Sequence, residues 1–201
     1  GRYVVVPDKG FDKVFVYLLD ATRGKLMAGY PPSVAARPGA APRHAGFHPT
    51  QPYAYVNNEL DSTITTYRFE PEQSVIEPIQ VVSTLPEGFS GKNTTAAIGV
   101  APSGRFLYVS NRGHNTIAIF AVDPAVGEPA TRVTPVEGLR NRHPAVSPDG
   151  RTLAFISASA TGGEIVLQDL ATGKHTPLLL SIPGSVSFGF GQNLEFSPDG
   201  R

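Results

Sequence analysis

The 201-residue chain contains no cysteine. That excludes disulfides, thiolate metal sites and a thiol nucleophile, and leaves the redox compartment open. Long hydrophobic runs are also missing, since no apolar stretch reaches the roughly 18 residues of a membrane-spanning helix. Gly1-Arg2 does not open a secretory signal, so either the protein is cytoplasmic or its address has been removed. An excess of one charge is absent too: 17 Lys+Arg balance 17 Asp+Glu. No global field draws the chain to nucleic acid or to an acidic membrane, and any electrostatic function must be local. Helical periodicity of useful length is lacking. What the chain has instead is 21 glycines and 19 prolines, set as punctuation between β-branched and aromatic runs. That is the pattern of many short strands.

A repeated turn supplies a ruler. Pro49 (PTQP), Pro102 (PSGR), Pro148 (PDGR) and Pro198 (PDGR) lie at intervals of 53, 46 and 50 residues. Gly1-Arg2 falls where one further turn would end. Four units follow, 1–50, 51–104, 105–150 and 151–201, within a single domain covering 1–201. A period of about 40–50 residues with several short strands per unit predicts an all-β fold of the β-propeller type.

Each unit repeats one order of events. A strand follows the turn, at Tyr3–Val6, Tyr53–Val56, Phe106–Val109 and Thr152–Ile156. A polar loop leads to a second strand, at Val14–Leu18, Thr63–Tyr67, Thr116–Phe120 and Ile165–Gln168. A more irregular strand comes next, for example Ile79–Leu85 and Thr131–Val136. Small-residue segments, Ala45–Phe47, Ala96–Val100, Pro144–Val146 and Asn193–Phe196, suit the crowded axis and are assigned as innermost strands. The expectation is four blades of four antiparallel strands. Pairing of Asn193–Phe196 with Tyr3–Val6 would close the ring and remove two exposed edges. Two chains sharing a ring of eight, a homodimer, is the alternative.

In such a blade, alternate loops share a face. Arg43 and His44 at an innermost strand then lie on the same side as Glu59, Arg112 and His114, opposite the Pro-x-Gly-Arg turns. Val6 to Val14, Val56 to Ile64 and Val109 to Ile117 each span eight residues. Lys9, Glu59 and Arg112 therefore occupy one equivalent position, and Asp8, Asn58 and Asn111 the one before. A cation, an anion and a cation in successive blades make either a salt-bridge ring or a polar pocket. The fourth unit breaks the pattern with a longer loop, Ser157–Gly163, that carries no charge.

The segments PRHAGFHPTQPYAYVNNELDSTITTY, STLPEGFSGKNTTA and GRFLYVSNRGHNTIAIFAVDP resemble the seven-bladed propeller lactonases, which include bacterial 6-phosphogluconolactonase and fungal carboxymuconate-lactonizing enzymes. The likeness runs from Gly1 to about Pro129. It implies a site built from the Arg of PRH, the acid of NELD and the Arg of NRGH, here Arg43, Glu59 and Arg112. SGKN, with Lys92 and Asn93, resembles the family's loop near the pocket mouth. A His that the family takes from a preceding HPH segment has no counterpart. Past Arg140, HPAVSPDGRTLAFISASATGGEIVLQDLATGKHTPLLL looks instead like a blade of the Tol-system propellers, which implies a recombined or engineered chain.

Two functions follow. In one, the fold is a catalytically silent scaffold of recombined blades, with the Arg–Glu–Arg cluster tying blades together. In the other, the chain hydrolyses a small anionic sugar lactone. Arg43 and Arg112 then bind the acid and steady the oxyanion, and Glu59 takes a proton from water. His44 or His114 would substitute for the missing His, and Asn58, Asn111, Lys92 and Asn93 would contact substrate. Flanking cations would make Glu59 a weak base. The five histidines show no spacing for a metal, and no cofactor is expected. His48-Pro49 and His143-Pro144 read as turn chemistry.

Overall fold

Strands form where β-branched and aromatic residues run between Pro- and Gly-marked turns, and the turns reverse the chain often enough that every pairing is antiparallel. The structure is a computed structural model that describes residues 3–70, 75–123, 129–135, 145–159 and 162–178. The first sheet has the order β1 (Tyr3–Asp8), β2 (Lys13–Asp20), β3 (Lys25–Ala35). The second runs β4 (Pro42–Phe47), β5 (Tyr53–Asn58), β6 (Thr63–Glu70), β7 (Val75–Ser83). The third runs β8 (Thr94–Val100), β9 (Phe106–Arg112), β10 (Thr116–Val122), β11 (Pro129–Pro135). The fourth runs β12 (Ala145–Val146), β13 (Thr152–Ser159), β14 (Gly162–Asp169), β15 (His175–Leu178). The fold is all-β and propeller-like. Among the described residues no helix is long and apolar enough to cross a membrane.

The pleat sends alternate side chains of each sheet to opposite neighbours. On β5, Ala54 and Val56 pack against Val14 and Val16 of β2, while Tyr53 and Tyr55 pack toward Leu107 and Val109 of β9. On β9 and β10, Tyr108 and Ile117 turn the other way, onto Leu153, Phe155 and Val166 of the fourth sheet. Each pair of successive sheets thus encloses its own apolar layer. Small residues line the inner strands: a Cβ on Gly46 of β4 would come within 2.9 Å of Val100 Cγ2 on β8.

Two expectations change. The first unit's outer strand, given no range from sequence, spans Lys25–Ala35 and includes Pro31 and Pro32. Proline lacks the ladder donor and is tolerated where a strand has an open side. The outermost position of β3, with a register break between Phe15 and Tyr17, meets that condition. Pro78 and Pro177 sit on the outer strands β7 and β15 in the same way. The segment Ser157–Gly163 is not a long loop. Residues Ser157–Ser159 pair with Gly162–Glu164, so β13 and β14 extend into this segment. The closing segment Asn193–Phe196, and Arg140, Arg142 and His143, lie outside the described residues.

The Pro-x-Gly-Arg turns cap the end of the sheets away from the loops that carry Glu59 and Arg112. His48 Nδ1 accepts the N–H groups of Thr50 (3.2 Å) and Gln51 (2.9 Å), closing the PTQP turn. Its ring lies on Gly104 of the next turn, where φ is 72° and a Cβ would stand 2.3 Å from the imidazole. Burial holds the imidazole below its usual pKa, partly offset by the backbone of Gly104. His48 is a turn residue that also staples two blades. Phe120 is fully buried between the second and third sheets. Phe120→Ala is expected to cost about 3–5 kcal/mol of unfolding free energy, read from the denaturant midpoint at constant slope.

Candidate functional site

Three equivalent hairpin loops build the site. Residues 9–12, 59–62 and 112–115 connect the pairs Asp8–Lys13, Asn58–Thr63 and Asn111–Thr116. Each loop ends on a residue in the left-handed region, Asp12 (φ 50°), Ser62 (φ 56°) and Asn115 (φ 57°). Asp and Asn enter that region more readily than most residues. The first loop residue is then Lys9, Glu59 or Arg112, the equivalence expected from the eight-residue spacing.

Arg43 reaches the same place by a different device. The β4–β5 register shifts between Pro42 and His44, leaving Arg43 unpaired in a β-bulge. Asn57 Oδ1 fixes the bulge by accepting the His44 N–H at 3.2 Å. Asn57 Nδ2 donates to Thr95 Oγ1 of the next sheet at 2.8 Å. A bulge re-aims the side chain it carries, and this one turns Arg43 onto Glu59.

Glu59 is held at both backbone atoms. Its N–H donates to Ala41 O at 2.8 Å and its carbonyl accepts Thr95 N–H at 3.0 Å. Its carboxylate, nearly buried, receives three cations from three successive sheets. Arg43 Nη1 donates to Oε2 at 2.8 Å, and Arg112 Nη2 donates to Oε1 at 2.7 Å. Lys9 Nζ lies 3.2 Å from Oε2. Burial alone pushes the carboxyl up, but the hydrogen bonds from Lys9, Arg43 and Arg112 together outweigh it and hold the pKa below its usual value. The carboxylate is ionised and fully engaged.

The arginines are not. Among the described residues Arg43 bonds through Nη1 alone, and Arg112 through Nη2 alone, which also donates to Thr95 O at 3.3 Å. The Nε of each is buried without a partner among the described residues. The site therefore offers spare donors of positive charge beside a fixed carboxylate.

The other sequence candidates are placed differently. His44 follows Arg43 on β4, half-buried, with its N–H on Asn57. His114 Nδ1 lies 2.8 Å from Thr116 Oγ1, and its ring meets Phe89 edge-on at 4.6 Å between centroids. Asn58 is buried and donates to Thr63 and Thr65 on its own hairpin. Asn111 is buried and bonds Thr84 and Thr116. Asn93 bridges Ser62, Asn111 and the His114 N–H, and Lys92 is exposed beside it. Arg43, Glu59 and Arg112 converge; the asparagines and His114 brace the loops. Sequence reasoning put Lys9 at the right loop position but left it out of the site, although its alignment with Glu59 was the signal. Among the described residues no group of three or more His, Cys, Asp or Glu could hold a metal.

A family model described as lactonase, seven-bladed β-propeller, matches residues 1–187. The chain belongs to the lactonase family. It is 39% identical over 196 residues to a 6-phosphogluconolactonase of Bacillus subtilis, covering 94% of this chain and 54% of that relative. A 6-phosphogluconolactonase of Pectobacterium carotovorum is 37% identical over 121 residues, covering 60% of this chain and 36% of its own length. Among solved structures, the periplasmic gluconolactonase of Pseudomonas aeruginosa superposes with a TM-score of 0.78 at 33% identity, over 92% of this chain and 52% of that one. The chain spans about half the length of the Bacillus relative. The lactonase match continues well past Pro129, where the sequence reading ended it, and through the whole of the 143–180 segment likened to a Tol-system blade.

Gly113 carries the tightest packing of the lactonase loops, with φ 124° and a Cβ position 2.1 Å from Lys92 O. Gly113→Ala has to push the 92–93 segment away from Arg112. A lowered melting temperature is expected by calorimetry.

Proposed function

We propose that Arg43, Glu59 and Arg112 bind and hydrolyse the lactone ring of an anionic sugar acid. The observation that carries this reading is the shared carboxylate: Glu59 gathers guanidinium groups from two sheets, 2.8 Å and 2.7 Å away, while each guanidinium keeps donors in reserve. The family match and the 39% identity to a 6-phosphogluconolactonase favour it over a silent recombined scaffold.

The chemistry follows from these groups. Water adds to the lactone carbonyl carbon as its proton passes to Glu59. The carbonyl electrons move to oxygen, where the spare guanidinium donors stabilise the developing charge. The ring C–O bond then breaks, and Glu59 returns the proton to the departing ring oxygen. In the free protein Glu59 is a weak base, because its cations favour the charged form. A substrate anion that draws a guanidinium toward itself removes part of that stabilisation and strengthens the base. Catalysis and binding thus use the same arginines.

Hydrolysis of a gluconolactone, with and without phosphate, tests the proposal. Glu59→Gln is expected to lower kcat by about 10²–10⁴-fold. Arg112→Ala is expected to lower it by about 10²–10³-fold, the usual effect of losing one oxyanion donor. Glu59 must be ionised to act. Since its pKa is lowered from 4.5, the acid limb that it sets in kcat/KM lies below pH 4.5. Wild-type rates equal to buffer would sink the reading.

The ring is also part of the proposal. Sheets two to four each begin with an inner strand, whereas β1 has none beside it among the described residues. Asn193–Phe196 is the proposed partner, within a ring of four blades or in an eight-bladed ring shared by two chains. A solution mass of 21.3 kDa supports the first and twice that mass the second.

A further inference from the structure

Three cations meet one carboxylate at the mouth, and they are not equivalent. Arg43 comes from a bulge and Arg112 is also bonded to Thr95 O, and their side chains are 19% and 30% exposed. Lys9 is 53% exposed, and its 3.2 Å contact is the longest of the three and falls on an oxygen that Arg43 already occupies. Glu59 remains doubly bonded without it. Lys9 is the most solvent-exposed of the three cations, so its ammonium is the one an arriving anion meets first. A lysine with three rotatable donors on a flexible stem suits an anion whose exact position varies, and it binds phosphate as a point charge.

The loop beneath Lys9 is nevertheless rigid. Asp8 Oδ1 accepts the N–H groups of Gly10 (2.8 Å) and Phe11 (3.0 Å). Asp12 accepts those of Gly39 and Ala41, both at 2.7 Å. Ala41 also receives the Glu59 N–H and leads directly into Arg43. The backbone that presents Lys9 is therefore fixed relative to both Arg43 and Glu59, and only the side chain is free to swing.

We infer that Lys9 is a specificity-determining residue that moves from Glu59 onto the anionic group of the substrate, remote from the lactone carbonyl, and selects phosphorylated lactones over uncharged ones. The inference rests on the hydrolase reading above. It assigns Lys9 to substrate choice and leaves the bond-breaking step to the other three residues.

The test compares wild type, Lys9→Met and Lys9→Arg on a 6-phosphorylated gluconolactone and on its unphosphorylated parent. Lys9→Met is expected to raise KM for the phosphorylated lactone about tenfold, equivalent to about 1.4 kcal/mol, with a much smaller change in kcat. The preference ratio should fall by a similar factor, and Lys9→Arg should restore most of it. Equal losses on both lactones, or no loss on either, would overturn the assignment. If wild type hydrolyses neither, the hydrolase reading fails by itself. Calorimetric titration with inorganic phosphate then decides on Lys9: binding weakened in Lys9→Met but kept in Lys9→Arg supports it, and unchanged binding overturns it.

Discussion

A sheet with apolar residues on both faces cannot be stable alone, and this constraint organises the molecule. β5 shows it most directly, with Ala54 and Val56 committed to one neighbour and Tyr55 to the other. β9 and β10 repeat the division one sheet further along. The sheets must therefore stack in succession, and their connecting loops gather at two ends. The close approach of β4 and β8 requires small inner residues, which explains Gly46 against Val100. Apolar burial thus decides where polar groups can meet.

At one end the loops perform a structural task. The turn histidine His48 caps its own turn and rests on Gly104 of the next, with backbone N–H groups as its main partners. At the other end, buried Asn57, Asn111 and Thr95 bond across sheets and fix the loop positions to the framework. Charged residues at that end inherit this rigidity. A carboxylate brought among three cations would cost much to bury unpaired. Glu59 is paired on both oxygens, so its burial is offset.

The same pairing sets the chemistry. A carboxylate held below its usual pKa neutralises cations well and abstracts protons poorly. On the proposed reading, an anionic lactone would shift this balance by competing for the cations. The three cations are held differently: the two arginines by a bulge and a backbone carbonyl, the lysine by its loop and its contact with Glu59.

Period and loop length were legible in the sequence because blades repeat the same local pattern. The eight-residue spacing between apolar positions placed Lys9, Glu59 and Arg112 at one loop position, and the two central strands of the second and third sheets lie where the β-branched and aromatic runs put them. The outer strand β3 was given no range from the sequence, because Pro31 and Pro32 fit a strand only where its edge is open. The extension of β13 and β14 into Ser157–Gly163 was not legible, because its small polar residues look like loop. The sequence by itself determined the strand repeat and the three charged side chains. Only the tertiary structure decided that a bulge turns Arg43 inward, that Lys9 joins Glu59, and that Asn58, Asn111 and His114 serve as braces. Those outcomes depend on contacts between residues far apart in the chain, which local pattern does not encode.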